Sequence, residues 1–468
     1  SEYGIISTSV QLATLISYIS FFGLNRATIK LIPEFLQQKQ KTKISNLITY
    51  VLRKFTLTTS ILSLSLLLIL LFFNPVKLPT SAIILTIMII PTVAFASYLS
   101  NILYAHQLMK KYAGLNIIGQ AVKVVVSFIL ITLGFSFLGP LVGFLFSYVT
   151  MMILYLPIAP LKIVKKVKIN TKLVWKYAIP AFIVMILSQI FTNTQFVILS
   201  SFTTQEITGL FAVAFKISTF VVVIPNILNN ALFPITSQLS AVKDSKKQQE
   251  KMINTVLRYT LYLTIPIILL LAFFSKYAII LFANKSYVSA TFYLPYLLLA
   301  SLFLGIGNIF LNNLYAIKRP TDYRNVYLIT VLLYLPLAIL LTLNFNGFGL
   351  AIAYLASTVM FFFIGFIKIR KYLSIRISKS ELLKILIASS LSLAFLILTK
   401  PFIHDLSLAI PFMTASVSIY LFALLKLRFY TKEDLEVVDF FLSKTPERMK
   451  FMKNFLKVLR NYLVKHIR

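Results

Sequence analysis

Residues 55–73 read FTLTTSILSLSLLLILLFF, an uncharged run with Arg53 and Lys54 before it and Lys77 after it. At 1.5 Å of rise per residue, such a run crosses the roughly 30 Å hydrocarbon core of a bilayer, which takes about 20 apolar residues. The same template fits thirteen times along the chain, near 3–24, 55–73, 80–100, 115–135, 138–158, 176–198, 207–233, 255–274, 290–314, 326–343, 347–367, 383–399 and 406–425. Composition agrees, with 59% hydrophobic and only 13% charged residues, about half the usual charged share. A soluble globular protein is excluded, and the fold class is all-α, a polytopic transmembrane helix bundle.

The formal charge of +33 would suggest nucleic acid in a soluble chain, but here the cations lie in loops between apolar runs, so no nucleic-acid partner is expected. When the spans are threaded alternately, 40 of the 46 Lys and Arg fall on one side. Loops on the other side hold Lys77, Lys276, Lys285 and Lys400, which leaves Lys123 and Lys216 inside spans. The basic side is the cytoplasmic one, so residue 1 is expected outside and the C-terminus in the cytoplasm of a multi-pass plasma-membrane protein. With no Cys and three His at unrelated spacings, no metal site or cofactor is expected. A membrane glycosyltransferase or polymerase would need acidic or metal-binding residues on a catalytic loop, and the outer loops are too short to hold a domain. The chain is therefore expected not to be an enzyme.

The chain also repeats itself. Glu2-Tyr3-Gly4 opens one apolar helix and Glu206-Ile207-Thr208-Gly209 another, while Asn101-Ile102-Leu103-Tyr104-Ala105 is echoed by Asn312-Asn313-Leu314-Tyr315-Ala316. Gly139, Leu145, Ser147 and Val149 match Gly349, Leu355, Ser357 and Val359 at an offset of 210. Both copies begin with a helix of the same direction, so the repeat is parallel, with its axis along the membrane normal. The second copy is preceded by the helix at 176–198 and the first by none, so a helix is expected before Ser1. The organisation expected is an N-terminal lobe over 1–160, a C-terminal lobe over 161–367, a trailing helix pair over 368–425 and a basic tail over 426–468.

Two stretches carry a family resemblance. One runs from Glu2-Tyr3-Gly4 through an apolar helix to Phe22-Gly23-Leu24, Asn25-Arg26-Ala27 and Ile32-Pro33-Glu34-Phe35; the other is Asn230-Ala231-Leu232-Phe233-Pro234 before a Lys-rich loop. They resemble the second helix with its following cytoplasmic loop, and the eighth helix, of the polysaccharide and O-antigen flippase branch of the multidrug/oligosaccharidyl-lipid/polysaccharide exporter superfamily. The resemblance implies two pseudo-symmetric lobes of the MATE-like flippase type. It also implies transfer of a polyprenyl-(pyro)phosphate-linked oligosaccharide from the cytoplasmic to the outer leaflet by alternating access, for cell-surface polysaccharide or glycoprotein glycan synthesis. Such a monomer would meet membrane lipids and the glycosyltransferases or polymerase of its pathway. The alternative within the superfamily is a small-molecule or multidrug exporter.

The residues bear on that choice. A charge at the bilayer centre costs about 2.5–3.5 kcal/mol by insertion scales, so Lys216 and Lys123 need a reason to be there. Lys123 can line a cavity or snorkel to the surface; Lys216 favours a water-filled cavity, where it would anchor a diphosphate. Gln11, Gln120, Gln189 and Asn226, with Asn116, Asn193, Gln195, Asn229, Asn230 and Asn308, suit hydroxyl-rich sugars as a set, although interhelical hydrogen bonds account for such residues singly. Glu34, Asp244, Glu250, Asp322 and Glu381 are expected in cytoplasmic loops, and Glu2, Glu206 and Asp405 near the outer surface, which argues against a carboxylate proton relay. In the tail, Thr431-Lys432-Glu433-Asp434 signals a helix start, and Met449, Met452, Leu456, Leu459 and Leu463 recur as one face of a basic amphipathic helix suited to an anionic leaflet.

Overall fold

The computed structural model describes residues 2–106, 108–165, 167–239, 245–317, 319–376, 378–431, 434–435 and 460. Every regular element among them is helical: α1 (Glu2–Ile19), α2 (Leu24–Gln37), α3 (Lys41–Phe72), α4 (Thr80–Ala105), α5 (Met109–Thr132), α6 (Leu138–Tyr155), α7 (Thr171–Phe202), α8 (Gln205–Leu239), α9 (Lys246–Phe273), α10 (Ser275–Phe282), α11 (Leu294–Ala316), α12 (Pro320–Arg370), α13 (Lys379–Thr399) and α14 (Leu406–Lys426), with 3-10 turns at Lys285–Phe292 and Lys400–Phe402. Eleven helices are long and apolar enough to cross a membrane. One of them, α12, is broken at Asn346 (φ 53°) into two spans, and the pair α1/α2, bent by 52°, supplies one more. The thirteen apolar runs thus have their counterparts among the described residues. The amphipathic repeat at 449–463 and the Lys-rich loop at 240–244 lie outside them.

Two expectations change. The segment after Gly23, expected as a loop, is the helix α2, whose charged residues Arg26, Lys30 and Glu34 share an exposed face opposite its apolar one. The helices also run past the hydrocarbon, so Glu34, Glu250, Asp322 and Glu381 stand in helix ends rather than in loops. A 28-residue helix such as α9 is about 42 Å long, against a core of about 30 Å. The excess turns carry the acids, which leaves the apolar centres free of them.

The bend between α1 and α2 is made by backbone conformation. Phe22 (φ 46°) and Gly23 (φ 75°) are left-handed, a region that costs a residue with a Cβ about 1–2 kcal/mol. A Cβ on Gly23 would lie 2.1 Å from the Ala178 carbonyl oxygen and 2.9 Å from the Phe182 nitrogen, because α2 runs directly against α7. Gly23→Ala is therefore expected to destabilise the protein by about 2 kcal/mol, seen as a lowered Tm in detergent. An unchanged Tm would mean that α7 can retreat from the bend.

The structure divides into two compact units, Ser1–Lys216 with Pro320–Phe361, and Ile217–Arg319 with Phe362–Arg468. The core of the first includes Phe21, Ile48, Phe55, Tyr98 and Tyr155. The Tyr98 hydroxyl donates to the Ile48 carbonyl at 2.6 Å, satisfying a polar group that lipid could not. The second unit packs Ile253, Leu257, Phe310, Ile369 and Tyr420.

The duplication is visible in matching details. In the first unit the Asn46 side-chain oxygen accepts from the Lys168 backbone N–H at 3.1 Å; in the second, Asn254 accepts from the Arg376 N–H at 3.2 Å. Both members of the pair are displaced by the same 208 positions. At the turn into α6, a Cβ on Gly139 would meet the Ile131 nitrogen at 3.2 Å, and within α12 one on Gly349 would meet the Leu341 carbonyl oxygen at 1.9 Å. Each glycine lets the chain fold back on the residue eight positions before it.

Candidate functional site

Lys123 is the fifteenth residue of α5, about 21 Å from its start. It belongs to a stripe in which Tyr112, Asn116, Gln120, Lys123 and Ser127 recur at spacings of four and three, all half-buried on an otherwise lipid-like helix. Glycines bring this helix close to α6: a Cβ on Gly119 would touch Met151, and one on Gly143 would strike Ser127 and the Lys123 carbonyl.

Lys216 is the twelfth residue of α8 and is exposed, between the buried Ala214 and Ile217. The structure brings it within Coulombic reach of Lys123. Two ammonium groups from helices 93 positions apart in sequence thus share one region of the first unit. Like charges repel, and more strongly where the dielectric is low. A multiply charged anion between them would relieve that repulsion.

The amides are distributed differently. Gln120 lies one turn before Lys123 on the same stripe. Gln189 accepts from Asn193 along α7, and Gln195 donates to the Phe191 carbonyl at 2.9 Å, so both bond within their own helix rather than between helices. Gln11 is half-buried on α1. Asn226 is half-buried on α8 in the second unit.

A group of tyrosines in the first unit escaped the sequence reading. Tyr104 and Tyr112 have ring centroids 5.0 Å apart, and Tyr112 and Tyr155 are 5.9 Å apart. Asn116 donates to the Tyr112 hydroxyl at 3.4 Å, while the Tyr155 hydroxyl is buried without a hydrogen bond. Tyr148 lies in the field of Tyr18, Tyr112 and Tyr155, and Tyr18 in that of Arg26. The α5 stripe was a signal for Tyr112 and Asn116; the others converge from α1, α4 and α6, which only the fold reveals.

Arg258 also departs from expectation. Counted among the loop cations, it is the thirteenth residue of α9 and is buried, pairing with Asp434 and lying 3.8 Å from Glu381. Among the described residues no group of three or more His, Asp or Glu could hold a metal ion.

Comparison with solved structures places this fold. A lipid II flippase MurJ in an inward closed conformation superposes with a TM-score of 0.73 at 19% identity, covering 90% of this chain and 91% of that one. An inward-facing multidrug resistance MATE transporter of the MOP superfamily gives 0.60 at 15% identity over 79% of this chain and 93% of its own. A variant of the Vibrio cholerae MATE transporter VcmN gives 0.52 at 15% identity, over 79% and 94%. No protein of curated function matches the chain in sequence. The family model described as polysaccharide biosynthesis protein matches residues 1–240, more than half of the 468. The chain belongs to that family and is a multi-pass membrane protein with the fold of those flippase and transporter structures.

Proposed function

We propose that the protein flips a polyprenyl-(pyro)phosphate-linked oligosaccharide from the cytoplasmic to the outer leaflet by alternating access, with Lys123 and Lys216 holding the diphosphate. The observation that carries this reading is Lys123 deep in α5 on a half-buried polar stripe, with Lys216 of α8 in its field. Facing hydrocarbon, each would cost about 2.5–3.5 kcal/mol on insertion scales. In a wet vestibule that cost falls, and a phosphate anion becomes a good partner for both. Gln120 on the same stripe, with Gln11 of the same unit, would serve the sugar hydroxyls.

On this reading the basic loops that follow α4, α6 and α14 would face the cytoplasm, and the C-terminus with them. Two negative charges moving outward across 100 mV, inside negative, release about 4.6 kcal/mol. Export of this head group therefore runs downhill electrically. The lobes would be 1–160 and 161–367, followed by the helix pair at 368–425.

In vesicles reconstituted with the purified chain, a fluorescent polyprenyl-diphosphate oligosaccharide placed in one leaflet is expected to become accessible in the other, faster with the potential that favours anion export. A lipophilic cation dye is expected to stay where it is. Dye movement without lipid movement would replace this reading with that of a drug exporter.

A further inference from the structure

The lysine pair accounts for phosphate and says nothing about sugar. We infer that the half-buried tyrosines of the first unit, Tyr18, Tyr112 and Tyr148 with Asn116, are a sugar-recognition platform for the head-group residue next to the diphosphate, backed by the buried Tyr155. This rests on the flippase reading and adds to it the chemical class that the vestibule selects.

Tyrosines near a membrane surface commonly form an outward belt, with rings among lipid head groups. These do not follow that pattern. Tyr155 is 1% exposed, and Tyr18, Tyr112 and Tyr148 are half-buried. They come from α1, α5 and α6; Tyr112 and Tyr148 pack against the core that holds Tyr155, and Tyr104 of α4 lies tilted against Tyr112 with ring centroids 5.0 Å apart. Asn116 donates to the Tyr112 hydroxyl at 3.4 Å, and the Tyr155 hydroxyl is buried without a hydrogen bond.

Such a site offers two kinds of contact. A pyranose ring has faces of C–H bonds, which carry slight positive charge, and a rim of hydroxyls. Tyrosine rings present negative π faces to the first, while phenol and amide groups donate to and accept from the second. The platform also has a fixed relation to the phosphate site. From Tyr112 to Lys123 is eleven residues on one helix, about 16 Å along its axis, with Asn116 and Gln120 between. A head group extending along α5 would place its anion at the lysines and its sugars toward the tyrosines.

The test compares two probes in detergent: a polyprenyl diphosphate carrying one hexosamine, and the same lipid without sugar. Wild type is expected to bind the sugar-bearing lipid about tenfold more tightly. Tyr112→Leu and Tyr148→Leu are each expected to remove most of that preference and leave affinity for the bare lipid unchanged, while Tyr112→Phe, which keeps the ring, retains most of it. Equal binding of both probes by wild type overturns the inference without use of any variant. So does a Leu variant that weakens both lipids alike, or neither. If wild type binds neither probe, the flippase reading falls and the platform with it.

Discussion

Lys123→Gln/Lys216→Gln together are expected to weaken binding of a polyprenyl diphosphate about a hundredfold. A hydrogen bond to a charged group contributes about 1.5–3 kcal/mol, and two such contacts, not fully additive, give roughly 3 kcal/mol. Glutamine keeps side-chain donors of similar reach, so the loss reports charge. Each single variant is expected to lose about tenfold, and each Lys→Arg variant to keep most of the affinity, because guanidinium also pairs with phosphate. Stability gives an independent readout. The lysines lie in each other's field, so neutralising one removes repulsion, and Tm is expected to hold or rise. Wild-type affinity in the double variant would take both lysines out of the mechanism. A fall in Tm equal to that of a core substitution would assign them a structural role.

The fold was legible because a bilayer fixes the length of what crosses it. A run such as 55–73 has few other uses, and α3 contains all but its last residue. The repeat was legible where backbone geometry demands a residue type, as at Gly139 and Gly349. Hydropathy could not find α2, whose polar face lowers its average, nor the burial of Arg258, which depends on Asp434, 176 positions away. The lysines stood out because charge in hydrocarbon is costly. Tyrosines are tolerated in spans, so Tyr18, Tyr112 and Tyr148 gave no such signal until three helices brought them together.

The second large effect is expected at Arg258→Met, with a loss of about 3–5 kcal/mol in unfolding free energy. Arg258 and Asp434 are 7% and 6% exposed, and they pair through Nη2 and Oδ1. The guanidinium also donates to Thr431 Oγ1 at 3.2 Å and lies 5.6 Å from the Phe429 ring centroid. The Tyr259 hydroxyl donates to the same carboxylate, which in turn accepts from the Thr431 N–H at 2.7 Å. Nearby, Tyr262 and Tyr430 are 3.0 Å apart. Burial, then the field of Tyr262, pushes the Tyr430 hydroxyl well above the ordinary phenol range, so that contact keeps its proton at any working pH. Removing Arg258 strands a buried carboxylate, which is the source of the loss. Removing both charges, as in Arg258→Met/Asp434→Leu, is expected to restore most of it, because the pair itself costs desolvation and leaves Arg258 Nε buried without a hydrogen bond. Chemical denaturation in detergent gives the cycle, and proteolysis beyond Thr431 reports whether this contact is released. A single-variant loss below about 1 kcal/mol would mean that the pair is solvated like a surface salt bridge. A double variant no better than the single would assign the stabilisation to hydrogen bonding by Asp434, with its charge secondary.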